Sequence, residues 1–135
     1  VSALWANGWV NSAKNPFLFA TDVLGFLPYG SEPQGDRPIL EKWQTEFLRG
    51  FFIGPDGQPV EDARHSIRSG HGTGKTTIIA ILAIWFPLTH YDSKCVITAA
   101  SQDQLRDGAW AELRKWVSAL PKPLREQIDI SQEKL

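Results

Sequence analysis

One cysteine and no methionine occur among the 135 residues. A single thiol excludes an internal disulfide. Cys95 lies in the apolar run Cys95-Val96-Ile97 with no histidine beside it in sequence. The expectation is a buried strand thiol in a reducing compartment rather than a nucleophile. Long apolar runs are also missing: the longest, residues 78–86, is ended by Pro87 and falls far short of the ~20 residues that span a bilayer. The first ten residues have no basic head and are broken by Asn7 and Gly8, so they do not read as a signal peptide. These absences lead to the expectation of a cytoplasmic protein. With no methionine at its start, the chain is expected to be a processed, trimmed or internal piece. Excess charge is absent too. A net charge of −1 supplies no global basic field for nucleic acid.

Aromatic residues are present in quantity. Six Trp and seven Phe need burial, which argues against disorder. The length suits one domain with a modest core. Composition divides the chain into a helical segment, residues 1–52, a loop, residues 53–62, and a part that alternates strand and helix signals, residues 63–135. The loop holds Gly54-Pro55-Asp56-Gly57-Gln58-Pro59, which no helix crosses.

In the first part, Asn15-Pro16 reads as an N-cap followed by proline at the first helical position. The predicted helix runs to about Leu27 and stops at Pro28. A second helix is predicted from near Pro38, with Leu40, Trp43, Phe47 and Phe51 on one face. Residues 1–14 also read as helix. In the second part, Ala63, His65 and Ile67 alternate with polar residues as in a strand. Residues 75–86 are apolar nearly all round, as in a helix buried on every side, with Pro87 as its stop. Residues 95–100 read as a strand covered on both faces of a parallel sheet. Ser101-Gln102-Asp103-Gln104 resembles a capping box. Leu105, Ala109, Leu113, Trp116, Val117 and Leu120 line one face of the helix that follows, and Pro121 ends it. Arg114 and Lys115 fall on its polar face and read as solvated surface. Residues 127–130 offer a further short strand signal.

Between the first strand signal and the apolar helix lies Ser69-Gly70-His71-Gly72-Thr73-Gly74-Lys75-Thr76. A triphosphate concentrates negative charge, and inward backbone N–H groups, a helix N-terminus and one lysine together offset it. The spacing G-x-x-x-x-G-K-[ST] arranges all three, although Ser69 stands where the pattern has glycine. Gly70, Gly72 and Gly74 let the backbone wrap without Cβ clashes. Lys75 is placed to reach β- and γ-phosphate oxygens, Thr76 to hold Mg²⁺ through its hydroxyl, and Thr77 to assist near the α-phosphate. His71 reads as a filler, because such a loop works through backbone groups. ATP and Mg²⁺ are the cofactors this motif implies. The fold expected around it is α/β: a three-layer α/β/α nucleotide-binding domain with an incomplete parallel sheet, preceded by the helical segment.

The string Arg68-Ser69-Gly70-His71-Gly72-Thr73-Gly74-Lys75-Thr76, with Trp43-Gln44 upstream and 109–116 downstream, resembles the large terminase subunit of tailed bacteriophages and prophages. The likeness extends over about residues 15–120. It implies a P-loop ATPase that packages double-stranded DNA in the cytoplasm of a bacterial host. Its implied partners are DNA, a portal and a small terminase subunit, and the full-length motor is implied to be a homo-oligomer with no membrane partner. Gln44 matches the family's adenine-reading glutamine; the competing reading is an exposed helix glutamine beside a core Trp43. Arg68 either supplies charge to the transferring phosphoryl group or pairs with a carboxylate, and the pairing is favoured. Residues 98–101 match a segment that couples nucleotide state to DNA, while Ser101 also reads simply as an N-cap.

An apolar strand ending in Asp-Glu, which supplies the hydrolytic carboxylates of this class, does not occur. Asp129, after Gln127-Ile128, is a poor substitute. The expectation is therefore the first part of an ATPase domain, which binds ATP but lacks the carboxylates and nuclease domain of its parent. The alternatives are a helicase-like P-loop ATPase, or a truncated nucleotide-binding or interaction module without catalysis.

Overall fold

The computed structural model describes residues 9–68, 74–90, 93–98, 101 and 105–128. Residues 9–11 are helical and end in a turn where the buried Ser12 hydroxyl donates to the Trp9 carbonyl at 2.9 Å. Asn15 then starts helix α1, Pro16–Leu18, as the Asn-Pro pair predicts. Its side chain accepts the Leu18 N–H at 3.2 Å, and Pro16 occupies a position where a missing N–H is harmless. The helix widens into a π-helical turn, Phe19–Val23. It closes before the predicted stop at Pro28, because Gly25 takes φ 86° and reverses the chain. Leu27 instead forms an isolated parallel bridge with Ile39. There the Leu27 N–H donates to Pro38 at 2.8 Å and the Leu40 N–H donates to Leu27 at 2.7 Å.

That bridge uses the residues predicted to begin the second helix, so α2 starts later, at Lys42–Arg49. Glu41 and Gln44 form a capping box at its N-terminus. Trp43 and Phe47 lie half-buried against the core, and Leu48, beside the predicted stripe, is completely buried.

Helix α3, Lys75–Thr89, runs through Pro87 rather than stopping at it. A proline forfeits the N–H bond to the carbonyl four residues back. Here the loss falls in the last turn, where the Thr89 hydroxyl donates to Trp85 at 2.7 Å and the His90 N–H to Phe86 at 3.0 Å. A π-helical turn, Leu105–Trp110, leads into α4, Ala111–Ser118. The predicted stripe of this region holds where side chains are described: Ala109, Leu113, Trp116 and Leu120 are buried. After Pro121 a short helix, α5, Lys122–Arg125, buries Leu124.

The core forms between helices. α3 packs on α4, on the π-helical turn before α4 and on α1, and α1 packs on α2. Phe19, Leu48, Ile78, Ile81, Ile84 and Leu124 are essentially inaccessible, each worth about 1.5–3 kcal/mol of transfer free energy. Two indole bonds tie the N-terminal residues to α3: Trp9 Nε1 donates to Leu88 at 2.8 Å and Trp85 Nε1 to Ser12 at 2.6 Å. No helix among the described residues is long and apolar enough to cross a membrane.

The expected three-layer α/β/α fold with a parallel sheet is contradicted. Among the described residues there is no strand or sheet, and the bridges Leu27–Ile39 and Ile53–Pro59 stand isolated. Alternation at Ala63, His65 and Ile67 does not produce a strand. His65 Nε2 lies 2.7 Å from the Phe51 carbonyl, and its ring sits 4.9 Å from those of Phe47 and Phe51. This segment is thus tied to the aromatic end of α2. Residues 93–98 form no strand either, and residues 99–100 lie outside the described set. Cys95 is exposed rather than buried, and Val96 is 82% exposed. The physical reason is that strand propensity acts only through neighbours on a pleated surface. The cover that the apolar α3 needs is supplied by helices instead. Residues 127–128 are irregular, and residues 129–130, with Asp129, lie outside the described set.

Candidate functional site: the N-terminus of α3 and its glutamine latch

Of the phosphate-binding motif, Gly74, Lys75 and Thr76 are described, with Thr77 after them; Ser69, Gly70, His71, Gly72 and Thr73 lie outside the described residues. Gly74 takes φ 90°, a left-handed conformation that favours glycine. It turns the chain directly into α3, and its carbonyl accepts the Ile78 N–H at 3.3 Å. Lys75, Thr76 and Thr77 form the first turn and are each half-buried. Gly74, at the N-cap, has no side chain with which to cap the helix, and no acidic residue occupies its first turn. First-turn N–H groups have no partner within their own helix, and the helix dipole favours an anion there.

Gln44 reaches this turn from α2. Its Nε2 donates to the Gly74 carbonyl at 2.9 Å, while its Oε1 accepts the Glu41 N–H at 2.8 Å. The side chain is 5% exposed, which corrects the reading of an exposed helix glutamine. A Cβ built on Gly74 would collide with the Gln44 amide nitrogen, so any larger residue would push the Gln44 side chain aside as well as strain φ. Trp43 packs against the core, in line with the structural reading of that residue. Sequence inspection singled out Gln44 and Gly74 separately. Their contact, across a separation of 30 residues, has no local signal. The signal for the capping box was available in Glu41 and Gln44, three positions apart at the start of an apolar stripe.

Arg68 is exposed and forms no ion pair with a described residue, so the favoured carboxylate pairing is not seen. Ser101 is exposed, and the rest of its predicted capping box, Gln102 to Gln104, lies outside the described residues. Arg114 and Lys115 are exposed, in keeping with a solvated face. A depression of about 420 Å³ opens elsewhere, between Ile53, Pro55, Val60, Asp62, Arg64 and His65. Its lining includes no residue of the α3 N-terminus.

The described donor set at α3 fits a triphosphate: a helix N-terminus, a left-handed glycine leading into it, a lysine and a threonine. Among the described residues no group of three or more His, Cys, Asp or Glu is placed to hold a metal ion. A magnesium ion arriving with a nucleotide would take most of its ligands from phosphate oxygens and water, and the Thr76 hydroxyl is the protein oxygen that would join them. Comparison with protein-family models, with curated proteins and with solved structures found no match.

Proposed function

We propose that residues 69–77 bind the triphosphate of Mg·ATP, and that the chain is the ATP-binding part of a DNA-packaging terminase large subunit. The observation that carries the binding claim is Gly74 itself. It stands in the left-handed conformation at the N-terminus of α3, one residue before Lys75 and two before Thr76. In this reading the first-turn N–H groups and the Lys75 ammonium neutralise phosphate oxygens, and the Thr76 hydroxyl holds Mg²⁺. Bound Mg²⁺ would spread the phosphate charge. Thr77 assists near the α-phosphate, and Arg68 supplies charge to the transferring phosphoryl group.

The terminase assignment rests on the Arg68-to-Thr76 string and its flanking likenesses. It stands apart from the expected sheet, which the described residues do not form. In this reading the full-length protein couples ATP hydrolysis to translocation of double-stranded DNA and cleaves it. It acts as a homo-oligomer with a portal and a small subunit in the bacterial cytoplasm.

Titration with a fluorescent ATP analogue in the presence of Mg²⁺ tests the site. The unaltered chain is expected to bind, and Lys75→Ala to lose at least tenfold in affinity, corresponding to about 1.4 kcal/mol. Equal binding by the two proteins overturns the proposal.

A further inference from the structure

We infer that Gln44 acts on a bound triphosphate as a positioning residue, through the carbonyl of Gly74, and does not read the nucleotide base. The inference rests on the triphosphate reading above and deepens it.

Both polar atoms of the Gln44 side chain are already engaged by the protein. Oε1 accepts the Glu41 N–H at 2.8 Å, and Nε2 donates to Gly74 at 2.9 Å. The residue is 5% exposed. Reading a base edge requires one donor and one acceptor presented together to the ligand. Here each atom of that pair is directed to the backbone of a separate element, and burial of the residue closes its remaining donor and lone pair to a ligand. The bond to Gly74 also falls where it controls most: this carbonyl belongs to the residue whose left-handed φ aims the first turn of α3. A Cβ at Gly74 would displace the same amide nitrogen, so the two residues are fitted to each other. Loss of the latch leaves the Gly74 carbonyl with only the long bond from the Ile78 N–H at 3.3 Å, and the first-turn N–H groups lose their common aim. That penalty falls on every triphosphate, whatever base it carries.

The test measures affinities of the full chain for ATP, GTP and inorganic tripolyphosphate, each with Mg²⁺. Gln44→Met keeps the size and removes both hydrogen bonds. Glu41→Pro removes the whole capping box, both the N–H that Gln44 Oε1 accepts and the carboxylate that accepts the Gln44 N–H, and leaves the Gly74 bond; Glu41 has φ −66°, which proline adopts. Gln44→Met is expected to weaken all three ligands by a common factor of about ten, equivalent to about 1.4 kcal/mol. The ATP-to-GTP ratio should stay unchanged. Glu41→Pro is expected to lower thermal stability and leave all three affinities within twofold. Amide hydrogen exchange without ligand gives a second readout: Gln44→Met should speed exchange at Lys75–Ile78, and Glu41→Pro only in α2.

A collapse of the ATP-to-GTP ratio with tripolyphosphate binding intact would make Gln44 a base reader and overturn the inference. Unchanged affinities in Gln44→Met, with only stability lost, would reduce it to a helix cap and overturn it equally. Glu41→Pro losing ligand as severely as Gln44→Met would do the same. If the unaltered chain binds no tripolyphosphate or nucleotide, the triphosphate reading itself fails and this inference with it.

Discussion

Gly74 shows how much can depend on one residue without a side chain. Its left-handed φ, its place at the start of α3 and the close approach of Gln44 set three demands that glycine meets together. The motif spacing reveals the first two demands, and only the fold reveals the third. Cys95 shows the opposite case, in which local sequence misleads. Apolar neighbours suggested a buried thiol, yet the residue is exposed. Its thiol pKa is nevertheless raised above the ordinary value, because nearby protein atoms partly desolvate the sulfur. Desolvation penalises the thiolate, which is the nucleophilic form. At a given mildly alkaline pH the native chain therefore holds less thiolate than the unfolded chain. Alkylation by iodoacetamide at pH 8 is expected to run slower in the native protein than in urea. The native rate–pH curve should be displaced to higher pH. Superimposed native and unfolded curves would show that the fold leaves this thiol unperturbed.

At the scale of elements, α3 is the test of what replaces the missing sheet. A helix sandwiched between sheet and helices would be covered on all sides, and its apolar sequence led to that expectation. The structure covers it unequally: Ile81 is completely buried and Ile79 is 41% exposed. Ile81→Ala is expected to cost about 2–5 kcal/mol in urea denaturation, as for other buried aliphatic truncations. Ile79→Ala should cost less than about 1 kcal/mol. Equal costs at the two positions would mean that an additional layer covers the Ile79 face. The elements legible in the sequence were those with a strong local cause. They include the Asn15-Pro16 start, the stripe from Ala109 to Leu120 and the apolar helix after the glycine-rich loop. Elements that depend on partners were not legible. Alternation over five residues at 63–67 cannot tell a strand from a segment pinned by His65 to Phe51. Pro87 likewise looks like a stop in sequence, and only the bonds around Thr89 and His90 show that the last turn tolerates it. For the site, residue types and order were legible, whereas the link from Gln44 to Gly74 required the packing of α2 against the start of α3.

For the whole molecule, the question is whether the compositional boundary near residues 53–62 separates two stable parts. The contacts join them into one core. Trp85 donates to Ser12 across 73 residues and places its ring 5.7 Å from that of Phe51 and 5.9 Å from that of Phe52. Phe26 packs its ring 4.4 Å from Trp116. Phe19, Leu40 and Leu48 share a cluster with Ile78, Ile81 and Leu113. Removing residues 1–62 would strip this cover from α3 and expose its apolar face, the condition that favours aggregation. A fragment of residues 63–135 is therefore expected to bind a hydrophobic dye and to lack a cooperative thermal transition. The full chain should unfold in a single transition, seen alike by tryptophan fluorescence and by far-ultraviolet circular dichroism. Two separated transitions in the full chain, or cooperative unfolding of the fragment, would show that each part sustains its own core. The same experiment bears on the proposed nucleotide site, because Gln44 lies in the deleted part. A fragment that kept its fold would still lose the latch on Gly74, and should bind tripolyphosphate no better than the 135-residue Gln44→Met variant.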